Sequence, residues 1–214
     1  MIHNGNIKII NKFIQETIGN IYDLSELSDY KTDSSLLLDF IEYYVKKNIP
    51  IPLILKNIVE NIDGAYNIIL YYNNYVYVMR DSLGMRPLSF ATSDKTVCFS
   101  SESSLYNKIN FSFTREIIPG EIIICREQDN FKPSTYGVFT YKNNAMPLYS
   151  SCALEYVYLS NNNSVFNGIL IKDARYWFGR KLWEEESELF KKKALPNAAS
   201  VYSSRYSSRN SDYI

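Results

Sequence analysis

Arg80 and Asp81 stand side by side four and three residues ahead of Gly84. Adjacent opposite charges before a turn can form a salt bridge, or the aspartate can form an Asx turn bracing a glycine at positive φ. A structural role is therefore the expectation for Arg80, Asp81 and Gly84. His3 is the one histidine of the chain. Imidazole suits acid-base work near neutral pH, but no serine or cysteine partner lies within sequence reach, and His3 is expected to position the turn beside it. Asn4-Gly5 reads locally as a tight turn opening the first helix. Asp33-Ser34 precedes a leucine-rich stretch, where either residue can cap a helix N-terminus.

The remaining candidates for covalent chemistry are Cys98, Cys125 and Cys152. Cys98 sits in a strand of alternating apolar residues, Cys125 ends another, and Cys152 lies where one unit gives way to the next. Apolar surroundings raise a thiol pKa, so each reads as an inert thiol and not as a nucleophile. Their spacing fits neither a metal site nor a disulfide framework, which points to a reducing compartment and a cytoplasmic protein. No metal and no cofactor are expected.

These residues belong to a chain of 214 residues, 46% hydrophobic and 15% aromatic, enough apolar material for one full domain or one domain and part of another. Basic and acidic side chains number 23 each, so no global field recruits nucleic acid or an acidic membrane. No apolar run approaches the roughly 20 residues of a spanning helix, and the first residues carry no signal-peptide pattern. The wealth of Asn, Ile, Tyr and Lys reads as the mark of an AT-rich coding genome.

Ile10, Phe13, Ile14, Thr17 and Ile18 recur at helical spacing, as do Leu37, Phe40, Ile41, Tyr44 and Val45, the second stripe ending before Pro50. Leu55, Ile58, Val59 and Ile62 mark a third helix opening near Pro52. From Ala65 the pattern turns β-branched and aromatic. Ala65 to Tyr72, Asn73-Asn74 and Tyr75 to Met79 read as a hairpin, Leu88 to Thr92 and Val97 to Ser100 flank the Ser93-Asp94-Lys95 turn, and Gly120 to Cys125 follows Pro119. Helices followed by antiparallel strands imply an α+β layered domain. Gln128 to Ser150 reads as turn-rich. Ile171 to Phe190 predicts a long helix with Ala174, Trp177, Phe178 and Leu182 on one side, and Asn197 to Ile214 has too little aliphatic content to fold.

The blocks Asp63-Gly64-Ala65-Tyr66, Arg80-Asp81-Ser82-Leu83-Gly84-Met85-Arg86-Pro87-Leu88, Ser100-Ser101-Glu102-Ser103 and Pro119-Gly120-Glu121 together resemble the class II glutamine amidotransferases. His3-Asn4-Gly5-Asn6 and Thr32-Asp33-Ser34 resemble two further blocks of that domain. Cys152 to Leu159, Asn167-Gly168-Ile169, Asp173-Ala174-Arg175 and Gly179 to Leu182 resemble the amidophosphoribosyltransferase branch. The implied fold is the layered αββα architecture of N-terminal-nucleophile hydrolases, incomplete, followed by the start of a phosphoribosyltransferase-like domain. The implied division is a partial amidotransferase domain over 1–150, an interdomain segment and first helix over 151–193, and a disordered tail over 194–214.

By the same resemblance, Asn4 and Gly5 are the oxyanion hole and Asp33 accepts the α-ammonium of glutamine. Losing one oxyanion donor costs about 3 kcal/mol in working enzymes. Ser35 stands where the family prefers glutamate, which weakens the local charge. Arg86 belongs to the structural motif with Arg80, Asp81 and Gly84. The family attacks glutamine with an N-terminal cysteine thiolate, its free α-amino group acting as base. That nucleophile and its carboxylate-gripping arginine would lie upstream of Met1-Ile2, and the phosphoribosyl pyrophosphate loop is not found. Cys152 resembles one ligand of the iron-sulfur cluster some relatives carry, but a cluster needs four thiolates. Asn161-Asn162-Asn163 replaces the family's Arg-Pro-Asp.

Two readings follow: a truncated amidophosphoribosyltransferase-like chain of purine biosynthesis that is inactive alone, or a glutaminase core or binding module needing a separate chain with the cysteine. An asparagine-synthetase-like protein is disfavoured by Arg86 and by the junction at Glu155 to Tyr158. Glutamine, a second copy or a complementing chain are the expected partners, with no nucleic acid and no membrane.

Overall fold

The leucine-rich stripe after Thr32 forms helix α1 (Asp33–Lys46), which buries Leu36, Leu37, Phe40 and Ile41. Its N-cap is Thr32, whose Oγ1 accepts the Ser35 N–H at 3.2 Å, and neither Asp33 nor Ser34 fills that position as expected. Asp33 instead occupies the first turn, where a carboxylate complements the helix dipole. Asn48 at φ 60° takes the chain out of α1, and Pro50 caps α2 (Ile51–Asn61) with Pro52 in its first turn. A computed structural model describes residues 1–7, 32–94, 96–143 and 149–193. The helix expected from Ile10 to Ile18, Lys95 and the tail from Asn197 lie outside the described residues.

Strand β2 (Ala65–Tyr72) and β3 (Tyr75–Arg80) form the expected hairpin. Asn73 and Asn74 both take left-handed φ, 47° and 64°, as a two-residue turn matching strand twist requires. With β1 (Ile2–Asn6), β7 (Glu121–Arg126) and β8 (Pro133–Val138) they make an antiparallel sheet of order β1-β2-β3-β7-β8. A second sheet, β5-β4-β6, joins β4 (Ser89–Thr92), β5 (Val97–Ser100) and β6 (Ser112–Glu116).

The large sheet is covered on both faces, as its alternation demands. Tyr66, Ile68, Leu70, Met79 and Ile122 pack with Leu37, Phe40, Leu55 and Ile58 of the helices. Val78, Ile123 and Cys125 point the other way and pack with Leu88, Phe90 and Ile117. The described residues thus supply one helical layer and two sheets, an α+β arrangement. The short helix α3 (Ser104–Lys108) touches β6, and a second full helical layer is not among the described residues.

Strand β8 falls in the stretch read as turn-rich, and α3 and β6 also escaped the sequence reading. Glu155–Leu159 forms one π-helical turn, and Val165–Phe166 (β9) pairs with Ile169–Leu170 (β10). The chain divides into two compact units, Met1–Ile171 and Lys172–Ile214. Residues 149–170, expected mostly in an interdomain segment, hydrogen-bond inside the first unit: Ser150 N–H to Leu83 O, Cys152 N–H to Met85 O and Val165 N–H to Ser103 Oγ. The described part of the second unit is helix α4 (Ile171–Lys193).

Candidate functional site

His3-Asn4-Gly5 lies in strand β1 and not in a turn. Its register on β2 sets His3 opposite Ile68, Asn4 opposite Asn67 and Gly5 opposite Tyr66. Gly5 allows that approach, since a Cβ there would sit 1.9 Å from the Ala65 carbonyl oxygen. The Asn4 side chain is exposed. Strand β1 is an edge of the sheet, so alternate main-chain groups beside Asn4 and Gly5 face away from β2.

The start of α1 is tied to this strand by three groups. Asp33 Oδ2 accepts the Ile7 N–H at 3.1 Å, just past the end of β1. Asp33 Oδ1 accepts the Ser34 N–H at 2.7 Å. His3 Nδ1 lies 2.8 Å from Ser34 Oγ and 3.8 Å from Asp33 Oδ1, with the imidazole 2% exposed and the Asp33 side chain 26% exposed. Burial lowers the imidazole pKa from 6.5, partly offset by the Asp33 charge. His3 is therefore neutral at pH 7 and anchors α1 to β1, where it was expected to position a turn.

Asn4, Gly5 and Asp33, 28 or more residues apart in sequence, thus meet at one end of the large sheet, with an open strand edge, a half-exposed carboxylate and the positive end of α1. A carboxylate there can take a cation, and amide and backbone donors can take a developing negative oxygen.

Arg80, Asp81, Gly84 and Arg86 build a different structure. The fully buried Arg80 guanidinium donates to three carbonyls, Arg86 O at 2.9 Å, Ile117 O at 2.6 Å and Gly84 O at 2.8 Å. Asp81 Oδ1 accepts the Leu83 N–H at 2.9 Å, an Asx turn, and Gly84 takes φ +63°. Of the two local structures expected, the Asx turn forms, while Arg80 spends its donors on backbone and not on Asp81. Burial raises the Asp81 carboxyl and backbone donors from Met85 and Leu83 oppose it. Arg86 Nη1 pairs with Glu155 Oε1 at 3.0 Å. Two open cavities of about 390 and 400 Å³, one beside Arg80, Glu116 and Asn167, the other beside Ser104 and Asn161, lie away from Asn4 and Asp33.

None of the cysteines is on β1 or α1. Cys125 is buried in the core between the sheets and its thiol is pushed up to about 12. Burial also raises Cys98 on β5. Cys152 donates its N–H to Met85 O, at the far end of the Arg80 loop. Among the described residues no group of three or more His, Cys, Asp or Glu could hold a metal ion, and no helix is long and apolar enough to cross a membrane.

Sequence reading missed Ser34 as the link between His3 and Asp33, and it missed the bidentate pair of Arg115 with Glu121, 2.8 and 2.7 Å. No local spacing signals the first, since the residues are 31 positions apart.

Residues 1–107, half of the chain and all of the His3, Asp33 and Arg80 blocks, match the family described as the glutamine amidotransferase domain. The chain belongs to that family. The amidotransferase domain is 27% identical over 192 residues to the amidophosphoribosyltransferase of Methanocaldococcus jannaschii, covering 86% of this chain and 40% of the relative. Its fold matches glutamine phosphoribosylpyrophosphate amidotransferase of B. subtilis, solved with ADP and GMP, with TM-score 0.62 at 22% identity, covering 79% of this chain and 34% of the other. It matches a solved allosteric regulatory enzyme of purine biosynthesis with TM-score 0.67 at 25% identity, covering 86% and 36%. The chain spans well under half the length of the curated relatives it matches.

Proposed function

We propose that the first unit is the glutamine-binding part of a class II amidotransferase domain in an amidophosphoribosyltransferase-like protein of purine biosynthesis. Asp33 accepts the α-ammonium of glutamine, and Asn4 with the Gly5 N–H faces the carboxamide oxygen. The observation that carries this reading is the Ile7 N–H to Asp33 Oδ2 bond, which brings the Asn4-Gly5 strand and the Asp33 carboxylate to one sheet end. Glutamine is a zwitterion with a polar amide, and this end offers a carboxylate for its cation and donors for its amide oxygen.

Hydrolysis needs a thiolate at that end, and Cys98, Cys125 and Cys152 stand elsewhere. We propose that these 214 residues alone do not release ammonia and that a segment carrying an N-terminal cysteine completes the site along β1. The second unit, helix α4, is assigned to the start of a phosphoribosyltransferase-like domain, and the protein to the cytoplasm.

The test is calorimetric titration of the chain with L-glutamine beside an ammonia-release assay. Binding that is abolished by Asp33→Ala and left intact by Asp94→Ala, with no ammonia above the blank, supports the reading. Absence of glutamine binding overturns the assignment of the site, and ammonia release sensitive to Asn4→Ala overturns the claim of inactivity.

A further inference from the structure

His3 is buried, uncharged at neutral pH, and touches the ammonium site only through another residue. Its Nδ1 lies 2.8 Å from Ser34 Oγ, and that hydroxyl is 3.4 Å from Asp33 Oδ1. Its Nε2 is buried with no hydrogen-bond partner. A neutral imidazole has one proton for two nitrogens. With the proton on Nδ1, the chain of donors runs Nδ1–H to Ser34 Oγ and Ser34 O–H to Asp33, and the Asp33 carboxylate favours that direction.

We propose that His3 is a positioning residue that reaches Asp33 through Ser34 and makes glutamine binding depend on pH, the α-ammonium being held only while the imidazole is neutral. The inference rests on the reading of Asp33 as the ammonium acceptor. Protonated His3 would place a second cation 3.8 Å from Asp33 Oδ1, competing with the ammonium for one carboxylate. A second N–H would also become charged inside the fold with no acceptor at Nε2. Bound ammonium and the imidazolium therefore exclude each other, and by linkage each weakens the other equally.

The surroundings of His3 leave Asp33 as the partner. From α1 it meets Asp33 and Ser34, and β2 sets uncharged Ile68 opposite it and Asn67 beside it. The nearby Tyr66 phenol is fully buried, directed at Ile58 and Ile62 carbonyls, and held protonated by burial. Burial already lowers the His3 pKa below 6.5, so the competition sets in on the acid side of neutrality.

Because His3 is the one histidine of the chain, its imidazole resonances can be followed by NMR without assignment. The experiment titrates the full chain from about pH 5 to 8 in three states: free, saturated with L-glutamine, and saturated with 4-carbamoylbutanoate, which lacks the α-ammonium. The expected result is a lower His3 pKa with glutamine than in the free chain and no such fall with the analogue. Glutamine affinity should drop, approaching tenfold per pH unit, below the free His3 pKa. His3→Asn, whose amide can replace Nδ1 but does not titrate, should flatten that profile. If glutamine binds and the imidazole titrates unchanged, the inference is wrong while the binding site stands. If the chain does not bind glutamine at any pH, both fall.

Discussion

The Asp33 carboxylate and the Ile7 N–H, 26 residues apart, share a hydrogen bond of 3.1 Å that ties the start of a helix to the end of an edge strand. The same carboxylate caps the Ser34 N–H through its other oxygen. A group proposed to hold a substrate cation is thus also a structural clasp, and the two roles separate by substitution.

Asp33→Ala strands two backbone N–H groups and is expected to cost about 1–3 kcal/mol of stability, with β1 loosened from α1. Asp33→Asn keeps an acceptor and should lose less. Urea denaturation of the two variants checks the order, and equal loss in both would contradict it.

Arg80→Met leaves the carbonyls of Gly84, Arg86 and Ile117 without their buried donor. Breaking such a network costs about 3–5 kcal/mol. Arg80→Lys should recover little, because a point ammonium cannot reproduce a planar fork spread over three acceptors. A loss under about 1 kcal/mol for Arg80→Met would show the carbonyls finding other donors.

Glu121 carries an acid-pH signature. Burial pulls its carboxyl upward, but hydrogen bonds from Arg115, Thr135 and the Ile118 N–H outweigh it and hold the pKa below the ordinary value. The folded state then binds that proton less tightly than the unfolded chain does. Stability from this group is present above the unfolded pKa of about 4.3 and is lost as pH falls through the lowered folded value. Glu121→Gln should flatten the acid limb of stability against pH, which chemical denaturation between about pH 2.5 and 6 would read.

Two glycines should respond with opposite signs. Gly5→Ala drives a methyl into the Ala65 carbonyl and should cost about 3 kcal/mol or more, with faster hydrogen exchange along β2. Gly179→Ala meets open space in the α4 helix and should raise helicity, worth about 0.8–1 kcal/mol. Denaturation, hydrogen exchange and circular dichroism distinguish the outcomes.

Strand β1 is an edge, and its Ile2 side chain is 65% exposed. Such an edge pairs with other strands unless charged or covered. The isolated chain is expected to show a mass that rises with concentration in light scattering after size exclusion, and Ile2→Lys to reduce it. A concentration-independent monomer would show the edge to be closed.

The elements that the sequence determined by itself are those set by short-range rules. Helices α1 and α2 follow from apolar residues three and four apart, and the hairpin follows from Asn73-Asn74, since asparagine tolerates the left-handed φ that two-residue turns need. The structural role of Arg80, Asp81 and Gly84 was legible because an Asx turn is closed within three residues. Other features depend on partners distant in the chain. Strands β6 and β8 are mostly exposed on their outer positions, so they carry no apolar alternation and exist through pairing with β4 and β7. The strand geometry of His3-Asn4-Gly5 was not legible either, because Asn-Gly satisfies a turn equally well until β2 supplies a ladder. Tertiary structure alone decided that His3 meets Ser34 and Asp33 across 31 positions, since such contacts are fixed by packing of the helical layer on the sheet and not by any period along the chain.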